Sequence, residues 1–252
     1  MSLLQVETVS LRFGGLAALT DVSLTVDVGT IRAVIGPNGA GKTSLFNAIS
    51  GYERPQQGTI RLGETVVTGQ KPHLISQLGL RRTFQNGGIF PEMTVLENVM
   101  VGADRTTSSG VLGILFALPG DRRAERDAVA ESRKMLARVG IERLADVRAR
   151  DLSFGQQRLV EITRALISHP RILLLDEPAV GLSQAERDTL ATTLRQLASE
   201  GMAVLLVEHV IDLVMAVSDQ VTVLNFGRVL AEGTPAEIRA HKDVLEAYLG
   251  SA

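Results

Sequence analysis

"AVIGPNGAGKT", residues 33–43, decides the fold of this chain. An apolar run ends at Gly36, and glycines recur at Gly39 and Gly41 before Lys42 and Thr43. Leu45, Phe46 and Ile49 then share one face of a helix that Gly51 can close. This is the G-x-x-x-x-G-K-[ST] pattern between a strand and a helix, the setting its mechanism requires. Gly36, Pro37, Asn38, Gly39, Ala40 and Gly41 make the bend. Apart from Pro37, which has no N–H, these residues together with Lys42, Thr43 and Ser44 present backbone N–H groups to phosphate oxygens at the positive end of the helix. Lys42 is expected to reach the outer phosphates, and the Thr43 hydroxyl a Mg2+ ion. An ordinary glycine-rich turn is the alternative, and the correct flanks count against it.

The chain has 252 residues, 45% of them hydrophobic, enough for one large domain or two small ones. A net charge of −2 gives no sign of a polyanion partner, so no nucleic acid is expected. Cysteine is absent, which excludes disulfides, thiolate zinc sites and thiol catalysis and suits a reducing cytoplasm. "MSLLQVETVSLRF" alternates apolar and polar residues, so it reads as a strand and not as a signal peptide. A membrane-spanning helix needs about twenty consecutive apolar residues. The run from Val111 to Leu118 is too short, and "MAVLLVEHVIDLVMAV" is broken by Glu208, His209 and Asp212.

Around the opening motif, "LLQVETVSLRF", "ALTDVSLTVD" and "TIRAVIG" read as strands, and "GTIRLG" with "TVVTG" as a small hairpin. Residues 91–159 change character. "MTVLENVMVG" and "DRRAERDAVAESRKMLARVGI" are charged helical stretches suited to a subdomain inserted in an α/β core of residues 1–90 and 160–225. "RILLLDEP" and "MAVLLVEH" are apolar almost to their ends, as buried parallel strands are, and "SQAERDTLATTLRQLASEG" supplies the crossover helix between them. "QVTVLNFGRVLAEGTP" reads as a last hairpin and "AEIRAHKDVLEAYLG" as a helical tail, with residues 226–252 forming the closing segment.

Three of these strands end in polar groups, at the edge of a parallel sheet where ligands bind. Asp176 is expected to hold Mg2+, and Glu177 to orient or deprotonate an attacking water. On its own, such a pair is more often a helix cap or a solvated loop; beside a phosphate loop the balance reverses. His209 ends the next strand, and Gln85 follows another in "RRTFQN". His209 is read as a hydrogen-bond donor to the terminal phosphate rather than a structural histidine. Gln85 is read as a contact to Mg2+ and the attacking water rather than a surface amide.

In order and spacing, "GPNGAGKT", Gln85, "LSFGQ", "ILLLDEP" and His209 resemble the ATP-binding cassette family over essentially the whole chain. The resemblance implies a RecA-like P-loop NTPase core with an N-terminal antiparallel β subdomain and an inserted α-helical subdomain. It implies ATP and Mg2+ as cofactors. It places Phe13 as the aromatic that stacks on adenine, against core packing as the competing view. Ser153, Gly155 and Gln156 would start a helix facing the ATP of a second cassette, with Ser153 and the Gly155 amide capping its γ-phosphate. Phe154 stands where the family has glycine, so its ring must avoid the phosphate, with the helical subdomain as one place for it. Ser183 stands where the family usually has Asp or Asn.

"RRTFQNGGIFPEMTVLENVMVG", "LSFGQQRLVEITRAL" and "VLEAYLG" further resemble the LivG-type cassettes of branched-chain amino acid importers and their urea or amide relatives. That implies two transmembrane permease subunits, a second cassette that is either different or another copy, and a substrate-binding protein acting indirectly. The chain would sit peripherally on the cytoplasmic face of the cell membrane. Phe90, Pro91 and Met93 would receive a permease helix, against local packing as the alternative. A lipopolysaccharide-type exporter cassette and a soluble non-transport ATPase of the same family remain as alternatives.

Overall fold

The computed structural model describes residues 2–83, 88–103 and 122–249. Gln85 and the segment Val111 to Leu118 lie outside the described residues. The chain forms two compact units, one of Met1–Arg82, Arg171–Val180 and Ala191–Ala252, the other of Thr83–Pro170 and Gly181–Leu190.

The first unit contains two sheets. Strands β1 (Ser2–Phe13), β2 (Leu16–Asp27), β4 (Gln57–Leu62) and β5 (Thr65–Val66) make an antiparallel sheet in the order β2-β1-β4-β5. The other sheet runs β10-β9-β3-β8-β7-β6. Its strands are β3 (Ile31–Ile35), β6 (Leu80–Arg82), β7 (Ile172–Asp176), β8 (Ala203–Val207), β9 (Gln220–Asn225) and β10 (Arg228–Gly233). All neighbours pair parallel except the β9–β10 hairpin. Every residue of β3, β7 and β8 is buried, Arg32 of β3 and Asp176 of β7 included, as suits apolar-rich strands covered on both faces.

One face of this sheet, with Val34, Leu174 and Leu205, packs on α1 (Lys42–Ile49) through Leu45, Phe46 and Ile49, and shares a core with Ile75 of α2 (Pro72–Gln77) and with Leu4, Val6 and Leu24 of the antiparallel sheet. The opposite face, with Ala33, Ile35, Val221 and Val223, packs on Val214, Ile238 and Val244. Those three residues belong to α7 (Ile211–Val217), α8 (Pro235–Ala240) and α9 (Lys242–Leu249). The tail read as one helical stretch is thus two helices. His241 between them is extended, at φ −76° and ψ 119°, and Thr234 and Glu237 cap the first in a reciprocal box.

Register is what prepares the site. Val34 of β3 pairs with Val207 of β8, and Val207 with Asp176 of β7. The loops that leave these three strands therefore start side by side at one level.

The second unit contains α3 (Val95–Met100), α4 (Arg122–Arg138), α5 (Phe154–Leu166) and the first turns of α6 (Gln184–Ser199). Helix α5 is continuous and lies wholly within this unit. The fully buried Asn98 ties down the segment before α3. It accepts from the Phe90 N–H at 2.9 Å and donates to the Phe90 and Thr94 carbonyls, each at 3.0 Å. Phe90 and Pro91 remain exposed on this pinned backbone.

Candidate functional site

In the first unit, the bend between β3 and α1 is a cradle that admits no side chains at two of its glycines. A Cβ on Gly36 would lie 2.1 Å from the Leu224 carbonyl oxygen. Gly41 has φ +103°, and its Cβ would lie 2.6 Å from the Ala18 carbonyl oxygen. Strands β9 and β2 thus press on the loop from outside, and the Gly227 N–H bonds the Ala40 carbonyl at 3.0 Å. Asn38, Gly39 and Thr43 face solvent, Pro37 and Ser44 are half-buried, and Ala40 is buried. Lys42 is buried, and its Nζ donates to the carbonyls of Gly36 at 2.7 Å and Pro37 at 3.0 Å. Burial pushes its ammonium below the usual lysine range, while Glu177 and Asp176 pull the other way. Phe13 is 44% exposed at the end of β1, so it is not a core residue.

Asp176 closes β7 and is buried; its Oδ2 accepts from Arg82 Nη2 at 2.8 Å. Arg82 Nη1 also reaches Asn47 Oδ1 at 2.8 Å and Ser50 Oγ at 3.0 Å, and its guanidinium lies 5.5 Å from the centre of the Phe46 ring. One buried cation therefore orients the carboxylate and braces α1 behind the phosphate loop.

Glu177 has φ +47°, uncommon for a residue with a side chain, and its N–H is held by the Val207 carbonyl at 2.8 Å. The turn brings its Oε1 within 2.5 Å of His209 Nε2. Between His209 and β8, the fully buried Glu208 accepts from the N–H groups of Ala179, His209 and Val210. The structure thus gathers Lys42, Asp176, Glu177 and His209 in one unit.

In the second unit, Ser153 is the N-cap of α5 and shares a reciprocal box with Gln156. Its hydroxyl and the Gly155 N–H converge on one acceptor, Glu186 Oε1, at 2.7 and 3.0 Å. The second oxygen of Glu186 accepts from the Ser183 N–H at 2.9 Å and Oγ at 2.8 Å. Gly155 is needed for this contact, because a Cβ there would lie 2.6 Å from Glu186 Cγ. Phe154 is 73% exposed, so its ring avoids the cap by standing in solvent and not by packing into the helical unit. Ser183 spends its hydroxyl on the start of α6.

The four donors hold the Glu186 carboxylate at a pKa of about 2, against an ordinary value of 4.5. A carboxylate depressed on folding stabilises the fold above its unfolded pKa, and that contribution fades as pH falls from about 4.5 towards 2. Urea midpoints at pH 6 and pH 3 are expected to differ less for Glu186→Gln than for the parent chain. Equal differences would show that these bonds add nothing to stability.

Arg82, Glu186 and Glu208 escaped the sequence reading. Glu186 had a signal, the S-x-x-E spacing of a capping box in "SQAE". Arg82 and Glu208 had none beyond a charge within an apolar strand pattern.

A glycine cradle at a helix start, a buried lysine and two carboxylates at the level ends of parallel strands define a nucleotide-binding P-loop ATPase. The chain belongs to the ABC transporter family, as one of its ATP-hydrolysing cassettes. That family's profile matches residues 19–180, and the profile described as branched-chain amino acid ATP-binding cassette transporter matches residues 228–252. The chain is 44% identical to the high-affinity branched-chain amino acid transport ATP-binding protein BraF of Pseudomonas aeruginosa, over 99% of this chain and 98% of that protein. It is 41% identical to the corresponding protein LivG of Escherichia coli K12, over the same shares. Among solved structures, the ADP conformation of an ATP-binding cassette of an ABC transporter superimposes with a TM-score of 0.87, at 32% identity and 99% coverage of each chain. Among the described residues, no helix is long and apolar enough to cross a membrane.

Proposed function

We propose that this cassette drives import of branched-chain or other amino acids, or of a related amide such as urea. The observation that carries the reading is the likeness to BraF and LivG over nearly the full length, extending into the tail. In this reading the Gly36–Ser44 segment binds the ATP phosphates, Lys42 holds the outer ones and Phe13 stacks on adenine. Glu177 polarises the attacking water, and His209, beside it, contacts the terminal phosphate. Ser153 and Gly155 cap the γ-phosphate of an ATP bound to a second cassette, with Gln156 holding the cap's backbone.

The donor chemistry fits Mg2+. The Thr43 hydroxyl and the Asp176 carboxylate are hard oxygen donors, and Mg2+ takes one or two of these along with phosphate oxygens and water. When bound, the ion neutralises phosphate charge; Arg82 aims the Asp176 carboxylate. Gln85 belongs to the same proposal by its place in the sequence.

The proposed partners are two permease subunits and a second cassette on the cytoplasmic face of the membrane, with a substrate-binding protein delivering solute to the permeases. The exposed Phe90 and Pro91, on backbone fixed by Asn98, suit a permease contact. Purification of the tagged chain from detergent-solubilised native membranes tests the assembly. Recovery of two membrane subunits and a second cassette supports import, whereas recovery of ribosomes, or of no membrane protein, overturns it.

A further inference from the structure

Glu208 is a carboxylate with no exposed surface, placed one residue before His209. Burying an ionised carboxylate is costly unless its lone pairs are filled. Here backbone amides fill them. Oε1 accepts from Ala179 N–H at 2.6 Å, and Oε2 from His209 N–H at 2.6 Å and Val210 N–H at 2.9 Å. Ala179 lies two residues after Glu177 and on a different loop from His209. A closed circuit results: Glu177 to His209 through their side chains, His209 to Glu208 through the backbone, Glu208 to Ala179, and Ala179 back along the chain to Glu177.

We propose that Glu208 is a positioning residue for ATP hydrolysis, locking the loop after β7 to the loop after β8 so that Glu177 and His209 keep their 2.5 Å separation. The inference rests on the roles proposed above for that pair. A carboxylate is required because all three partners are donors. A glutamine has one acceptor oxygen, and its NH2 group would face an N–H whichever way it is turned. A fault of about 1 Å at reacting groups costs on the order of 10²-fold in rate. The phosphate loop has its own scaffold in Leu224, Ala18 and Gly227, so nucleotide affinity does not depend on Glu208.

The test uses the full chain as Glu208→Gln, Glu208→Asp and Glu177→Gln. It measures steady-state ATP hydrolysis, affinity for a fluorescent ATP analogue, and amide hydrogen exchange at residues 179, 209 and 210, with Gly41 as internal reference. Aspartate keeps the carboxylate acceptors and can serve its own loop, but is one methylene too short to reach Ala179, so it tests the bridge in a chain without a buried amide mismatch.

For both Glu208 variants, the expected result is a kcat lower by about 10²-fold with KM and analogue affinity within about threefold. Exchange at Ala179 should rise at least tenfold and stay unchanged at Gly41. The proposal is overturned if Glu208→Asp hydrolyses ATP at the parent rate, or if its kcat falls with no change in exchange at Ala179. Full turnover by Glu177→Gln is a separate failure: it removes the pair that Glu208 is said to position, whatever the Glu208 variants do.

Discussion

Glu177→Gln should retain ATP and lose nearly all turnover, with kcat falling by about 10²- to 10⁴-fold, the range general-base catalysis supplies. The substitution keeps shape, and an amide can still bond His209 Nε2, so the turn at φ +47° and its Val207 anchor persist. What disappears is the proton acceptor. Affinity should hold or rise slightly, because one negative charge leaves the neighbourhood of the phosphates. The same loss withdraws a charge that supports the Lys42 ammonium, but Asp176 remains to do so. Phosphate release and nucleotide binding, measured on one preparation, decide the matter. Turnover at the parent rate would strip Glu177 of the base role, and a collapse in affinity would mean that it builds the binding site instead.

Arg82→Met should cost about 3–5 kcal/mol of stability, the penalty for leaving one member of a buried ion pair behind. Asp176, only 7% exposed, would lose the guanidinium 2.8 Å away. Asn47 and Ser50 would lose a donor as well, and Phe46 the cation near its face. For a chain of this size that is a fall in Tm of roughly 10 °C. Adding Asp176→Asn should return part of the loss, because the two effects share one interaction. A melting temperature for Arg82→Met within two degrees of the parent, or strict additivity in the double variant, would show that the pair does not brace the strand end.

Much of this site was legible because its chemistry is local. The phosphate loop declares itself in consecutive residues, and the apolar runs of β7 and β8 point to Asp176, Glu177 and His209 simply by ending there. What escaped is what the fold brings together from afar. Arg82 meets Asp176 across 94 positions, and Glu208 meets Ala179 across 29, and no spacing rule reports either. Arg82 sits at the end of a three-residue strand whose composition names no partner. Phe154 shows the opposite limit. Its position in the sequence excludes the phosphate, but only packing decides where the ring goes, and it stands in solvent. The break at His241 was hidden because both flanks of the tail favour helix.

The carboxylate of Glu186 already occupies the Ser153 hydroxyl and the Gly155 amide. For a phosphate that is to be capped there, recognition becomes an exchange of anions instead of the filling of a space. The resident anion is tethered and therefore present at an effective concentration of millimolar or more, whatever the solution contains. In that proposed role, free inorganic phosphate would have to outcompete a tethered carboxylate, whereas a phosphate carried in on a bound nucleotide would arrive at a comparable local concentration. In the capping role proposed for it, the site would thus act as a selective receiver, answering to delivered phosphate over free phosphate.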